Sequence, residues 1–194
     1  MCNFLSAIYT QDGRLLCNPL VDSHSDLIEL FGVHERAGVG GIGQKFVKLE
    51  LTPTENRYAD VAAYSFRVDE TETPGWFDKA ASASAESEMR AVIEKMVVRG
   101  ANGRLLVCGC FIVPEGVCRA KIARVFASGS ATVEASGSAT VEAYDSATVE
   151  ASGSATVRAY DSATVRAYDS ATVTPCNCGY AYCKPTIIDN RGGK

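Results

Sequence analysis

From Val125 onward the chain repeats itself every eight residues, and a period this short outranks any local reading of helix or strand. The units are VFASGSAT, VEASGSAT, VEAYDSAT, VEASGSAT, VRAYDSAT and VRAYDSAT, with Val at 125, 133, 141, 149, 157, 165 and 173. Val117 stands eight residues earlier, so VCRAKIAR reads as a degenerate first unit. Each unit offers a six-residue strand, Ser-Ala-Thr-Val-Glu/Arg-Ala, and a two-residue corner, Tyr-Asp or Ser-Gly. Alternation along such a strand puts Ala, Val and Ala on one face and Ser, Thr and Glu or Arg on the other.

An antiparallel meander cannot use this pattern. Residues flanking a two-residue hairpin pair with each other and share a face, so Ala143 would lie beside Ser146 and neither face would become a core. Parallel coiling lets equivalent residues stack and every valine point inward. The expected architecture is therefore a parallel β-solenoid (β-helix), with Val133, Val141, Val149, Val157, Val165 and Val173 in its interior. Its coil could hold 8, 16 or 24 residues. A coil of 8 needs two corners per unit and stacks Glu134, Glu142 and Glu150 as neighbours, which repel. A coil of 24 pairs Glu134 with Arg158 and Glu142 with Arg166, but its triangular interior needs side chains larger than Ala and Val. A flat coil of 16 suits the small residues and sets Glu142 beside Arg158 and Glu150 beside Arg166, at the cost of a Glu134–Glu150 contact. It is the preferred solution.

Upstream, the large apolar residues concentrate before residue 127 and the periodicity changes. Residues 3–10 and 14–17 flank Asp12-Gly13, a hairpin signal. DSHSDLIELFG reads as a short helix capped by Asp22 or Ser23 and ended by Gly32. KFVKLEL alternates as a half-buried strand, YSFRVD is a further strand, and residues 78–98 form a long helix stopped by Gly100. RLLVCGCFIV is apolar on both faces and suits a central strand. The reading is an α+β N-terminal or capping domain over 1–116, the solenoid over 117–174, and a C-terminal cap or tail over 175–194.

Composition narrows the function. The net charge is -4, and the six acids and two bases between Ala127 and Thr174 account for all of it. The remaining chain is electrically balanced, which speaks against nucleic acid as a partner. No stretch has the length of a membrane span, the N-terminus lacks signal-peptide features, and eight cysteines fit free or metal-bound thiols in a reducing cytoplasm.

Four motifs bear on chemistry. Cys176, Cys178 and Cys183 could hold zinc with a fourth ligand; otherwise they form a small cap. Cys108 and Cys110 make a second C-x-C pair that is more simply core. Cys2, exposed by removal of the initiator Met, would be an N-terminal nucleophile, with His24 as base and Asp22 or Asp26 as its orienter; otherwise His24 is an exposed first-turn residue. Gly38-Val-Gly-Gly-Ile-Gly43 matches a phosphate-loop spacing but follows a helix and precedes a strand, the reverse of what phosphate binding needs, so it is a loop. The outward Ser-x-Thr rows match an ice-binding array only in part, because Glu and Arg columns interrupt the uncharged plane. No cofactor is expected beyond the zinc alternative.

MCNFLSAI, DLIELFG, TPGWFD and the YDSATVRA tract together resemble uncharacterised proteins of phages and mobile elements, in which a compact MCNF-type domain precedes short imperfect repeats. The resemblance carries no catalytic signature. It implies an intracellular accessory protein acting on a host process, in the host cytoplasm.

These readings lead to a non-enzymatic interaction or scaffold protein with the solenoid as a rigid display or oligomerisation surface. The alternative is an amide-hydrolase-like enzyme acting through Cys2, with the repeats as a stem. The sign change from Glu134 and Glu142 to Arg158 and Arg166 further suggests an antiparallel homodimer, in which opposite charges meet and the corner tyrosines Tyr144, Tyr160 and Tyr168 add apolar contact.

Overall fold

The computed structural model describes residues 4–33, 43–55, 57–176 and 184–192. It divides into two units, Met1–Lys95 and Met96–Lys194.

In the first unit, β1 (Leu5–Thr10) and β2 (Leu15–Cys17) form the hairpin expected around Asp12-Gly13, with Gly13 at φ 78°. Helix α1 (His24–Leu30) follows, and its N-cap Ser23 accepts the Asp26 N–H. β3 (Phe46–Thr52) pairs antiparallel with β1 and with β4 (Ser65–Val68), giving the order β2-β1-β3-β4. Val47, Leu49 and Leu51 are fully buried while Lys48 and Glu50 are half-buried, as the alternation requires. α1 packs Leu27 over Ile8 and Phe46 on one face of this sheet. The long helix α2 (Lys79–Met96) buries Ala85, Met89 and Ile93, and Arg90 donates to the carbonyls of Val61 and Tyr64.

The second unit is a parallel β-solenoid of about four turns. β5 (Arg104–Val113) and β6 (Val117–Ala127) are long strands that bend through a corner. Six short strands follow: β7 (Thr132–Ala135), β8 (Thr140–Ala143), β9 (Thr148–Ala151), β10 (Thr156–Ala159), β11 (Thr164–Ala167) and β12 (Thr172–Pro175). Pairing joins residues sixteen apart, Thr132 to Thr148, Thr140 to Thr156 and Thr148 to Thr164, so the regular coil is flat and two-sided. One face carries β7, β9 and β11, and the opposite face β8, β10 and β12. The interior is a stack of Ala, Val and Ala from each side: Ala131, Val133 and Ala135 meet Ala139, Val141 and Ala143, all at 1% exposure or less. Small side chains are the ones that two sheets connected by such short corners can accommodate.

The first coils are tighter. β5 pairs β6 at an offset of 14 (Arg104 with Cys118), and β6 pairs β7 at 15 (Val117 with Thr132) before reaching 16 with β8 (Arg124 with Thr140). This corrects the assignment of RLLVCGCFIV to the N-terminal domain. β5 is the first rung of the solenoid, and the unit boundary falls near residue 95 rather than 116. The strand is apolar along its length because Leu106, Phe111 and Val113 join the solenoid core. The tail is not a separate cap either, since β13 (Thr186–Asp189) adds a parallel rung to β11.

Corners are made by a residue in the left-handed region. Gly137 and Gly153 have φ of 58° and 62°, and Asp145, Asp161 and Asp169 have φ of 51–53°. A turn bond closes each corner, as from Ala147 N–H to the Tyr144 carbonyl (3.1 Å). Aspartate tolerates this conformation better than most residues and here gains a bond for it. Its Oδ2 reaches back one coil and accepts a backbone N–H: Asp145 from Gly129 (3.0 Å), Asp161 from Asp145 (3.3 Å) and Asp169 from Gly153 (3.1 Å). Gly137 lacks that choice. A Cβ there would stand 2.7 Å from the Lys121 carbonyl oxygen, because the shorter coil beneath brings its corner closer.

Of the six predicted interior valines, five are fully buried and Val173 is only half-buried, because β12 ends its sheet among the described residues. Val149→Asp should therefore unfold the solenoid, with a loss of about 4 kcal/mol or more in urea denaturation, whereas Val173→Ala should cost under about 1.5 kcal/mol. Gly153→Asp should stay within about 1 kcal/mol of the parent, since its carboxylate can accept the Gly137 N–H as Asp169 does one coil later; Gly137→Ala should lose about 2 kcal/mol. Equal effects at the two glycines would remove the coil-length explanation.

Candidate interaction face

The two-sided coil sorts the outward charges into two columns. On one face Leu105, Arg119, Glu134, Glu150, Arg166 and Ile188 stand in register on successive rungs. On the other the order is Phe126, Glu142, Arg158 and Thr174. Glu134 and Glu142 thus point to opposite sides, as do Arg158 and Arg166. The four charges that were to meet across an antiparallel homodimer do not share a surface.

The columns also differ in accessibility. Glu142 is 7% exposed, and both its oxygens are used: Arg124 donates to Oε1 (3.0 Å) and the Tyr144 hydroxyl donates to Oε2 (2.9 Å). The Arg124 guanidinium also lies 4.9 Å from the centre of the Phe126 ring. The expected in-register neighbour Arg158 stays exposed. A buried carboxylate needs a paired charge and satisfied lone pairs, and Arg124 with Tyr144 supplies both. Sequence reading missed Arg124 because it lies in the degenerate first unit, on the diagonal rather than in the ladder. Counting back by 15–16 residues through VCRAKIAR places it beside this column.

On the first face Glu150 pairs with Arg166 (3.2 Å), and Glu134, exposed, stands against Glu150 in the ladder. Lys121 and Arg119 add positive charge at the N-terminal end, and a shallow groove of about 430 Å³ runs past Leu105, Arg119, Lys121, Glu134, Glu150 and Tyr168. The groove crosses five rungs, four strand spacings or roughly 19 Å. Tyr168 stands at its far end, 36% exposed. Tyr144 and Tyr160 lie in the other corner column and stack on each other, with centroids 4.5 Å apart and planes at 8°. Burial, and then contact with the Cys176 thiol, pushes the Tyr160 hydroxyl up to about 12.

The cysteines divide by environment. Cys176 sits at the end of the tyrosine column, while Cys178 and Cys183 lie outside the described residues, as does Cys2. Burial raises Cys110 and Cys118 to about 11 each, and Cys108 is exposed at the corner of β5. Gly38–Ile42 of the glycine loop also fall outside the described residues.

His24 is buried rather than an exposed first-turn residue. Its Nε2 lies 3.0 Å from the Leu49 carbonyl and its Nδ1 3.4 Å from Asp69 Oδ2. Asp22 and Asp26 are exposed, and the carboxylate that faces the ring is Asp69, 45 residues away in sequence. With Nε2 directed at a carbonyl and Nδ1 at a carboxylate, the ring is held as a cross-link between α1, β3 and the end of β4.

Among the described residues, no helix is long and apolar enough to cross a membrane. Compared with protein-family models, curated proteins and solved structures, the chain has no match.

A thiol held near 11 is roughly one-thousandth ionised at pH 8. In the native chain at pH 8, iodoacetamide should therefore modify Cys108 and spare Cys110 and Cys118, as read by peptide mass mapping. Protection should be lost on unfolding or as the pH approaches 11.

Proposed function

We propose that the protein is a non-enzymatic interaction or scaffold protein, and that the Arg119–Glu134–Glu150–Arg166 face of its solenoid is the surface it presents to a protein partner. The supporting observation is the fixed charge order of that face over a dry Ala/Val interior. Strands held in register by a ladder lose little further conformational freedom on binding, which is the advantage of preorganisation. Charges in such an array contribute more to orientation and partner choice than to raw affinity.

The order also bears on the kind of partner. Reading Arg, Glu, Glu, Arg, the column is nearly its own reverse. Two copies laid antiparallel in full overlap would set Arg119 against Arg166 and Glu134 against Glu150, like against like. A different protein, with basic residues at the centre of its contact and acidic residues at the flanks, is electrostatically the better fit. The resemblance to phage and mobile-element proteins suggests a host protein in the cytoplasm as that partner.

The test uses the full chain, its Glu134→Lys/Glu150→Lys variant and its Cys2→Ala variant, each checked by circular dichroism for an unchanged fold. A partner retained from a bacterial lysate by the parent and by Cys2→Ala should bind the face variant at least ~10-fold more weakly in a direct titration. Retention by the face variant with loss in Cys2→Ala would instead select the enzyme reading.

A further inference from the structure

The groove beside the charge column has a shape that restricts what can enter it. Its walls are two outward columns on the same rungs. One is Arg119, Glu134, Glu150 and Arg166; the other consists of the residues two positions further along the chain, Lys121, Ser136, Ser152 and Tyr168. Between them lie inward-pointing alanines such as Ala135, which is buried. The second column is large only at its ends. The hydroxyls of Ser136 and Ser152 donate to the carbonyls of Ala120 (3.4 Å) and Ala135 (3.3 Å), so the middle of the groove is low. Lys121 and Tyr168, both exposed, stand at the two ends, three strand spacings or about 14 Å apart. Outward neighbours on one strand are only roughly 7 Å apart. That gap admits a single extended chain and excludes an α-helix, whose diameter with side chains is about 10–12 Å.

The charges along the groove are not consumed by the fold. Among the described residues, Arg119, Lys121 and Glu134 are exposed and make no side-chain hydrogen bond or ion pair. The Glu150–Arg166 pair, at 3.2 Å, remains 45% and 42% exposed.

Spacing relates these charges to a ligand. An extended chain laid along the solenoid axis presents alternate side chains every ~6.8 Å, whereas the rungs recur every ~4.8 Å. With one side chain over Arg119, the next falls midway between Glu134 and Glu150, and the third, ~13.6 Å on, reaches Arg166 at ~14.4 Å. One further side chain at each end comes within about 2 Å of the levels of Leu105 and Ile188, which are both exposed. We infer that the partner of this face contributes an extended peptide segment of the pattern apolar-x-acidic-x-basic-x-acidic-x-apolar, lying in the groove across the strands. The inference rests on the reading of this face as an interaction surface and narrows the partner to a chain that presents such a segment in extended form.

The probe is the end-blocked, fluorescently labelled peptide Leu-Thr-Asp-Thr-Lys-Thr-Asp-Thr-Leu, titrated with the full chain by fluorescence anisotropy. The control is its charge-inverted form, Leu-Thr-Lys-Thr-Asp-Thr-Lys-Thr-Leu. The chain carries a net charge of -4, so non-specific attraction favours the inverted peptide; the groove should instead bind the matched one at least ~10-fold more tightly. Ser152→Tyr fills the low middle of the groove and leaves every charge in place. Its ring can stack on Tyr168 one rung above, as Tyr144 stacks on Tyr160, so the fold should be kept, which circular dichroism verifies. This variant and Glu134→Lys should each weaken the matched peptide at least ~10-fold. No saturable binding up to roughly 1 mM, equal binding of the two peptides, or indifference to Ser152→Tyr would overturn the inference. If the peptide fails while Glu134→Lys/Glu150→Lys still releases the partner retained by the parent, the extended segment is ruled out and the charged face stands. If that variant also keeps the partner, the face reading falls as well.

Discussion

A valine at every eighth position must find a dry interior, and that requirement organises the second half of the molecule. Only parallel coiling turns all of these valines inward. Coiling then demands a sharp corner every eight residues, and the corner demands a left-handed backbone, which is where Gly and Asp enter. The Asp side chain converts this local demand into a link between coils by accepting a backbone N–H from the corner below. Core packing and corner hydrogen bonding therefore reinforce each other along the same axis.

Coil length has consequences beyond shape. Because the first coils contain 14 and 15 residues before the repeat settles at 16, their corners crowd the next rung, and Gly137 stands where a Cβ would meet the Lys121 carbonyl. The same sixteen-residue step assigns each charge to a face. A step of 24 would have set Glu134 beside Arg158. A step of 16 instead places Glu134 against Glu150 on one side and seals Glu142 under Arg124 and Tyr144 on the other. One face is left accessible and charged, and the carboxylate on the other is already satisfied internally.

The N-terminal unit follows a different logic. Its sheet has a buried apolar face through Val47, Leu49 and Leu51, and α1 covers Ile8 and Phe46 on the other. Beside that second packing, the residues alternating with the apolar set bring Glu50 and Arg67 together, and α1 adds His24. A buried imidazole, two carboxylates and a guanidinium form a charged cluster within a fold otherwise held by apolar contact.

Much of this was legible in the chain. Eight-residue spacing determined that the repeats coil in parallel with valines inside, and the small size of Ala and Val favoured a flat coil. The Asp12-Gly13 hairpin, the Ser23-capped helix and the alternating β3 were likewise written in local pattern, because each depends on residues within a turn or a strand of one another. What the tertiary structure decided involves residues brought together across long stretches of chain. β5 reads as apolar on both faces and gives no sign of which sheet it joins; the register with β6 assigns it to the solenoid. Arg124 reaches Glu142 along a diagonal, two residues before the ladder position that a step of sixteen gives. Asp69 meets His24 only because two strands pair and a helix crosses them, so the more obvious Asp22, two residues away, remains in solvent. Sequence periodicity specifies interactions that recur at fixed spacing, whereas a unique cluster exists only once separate elements have packed.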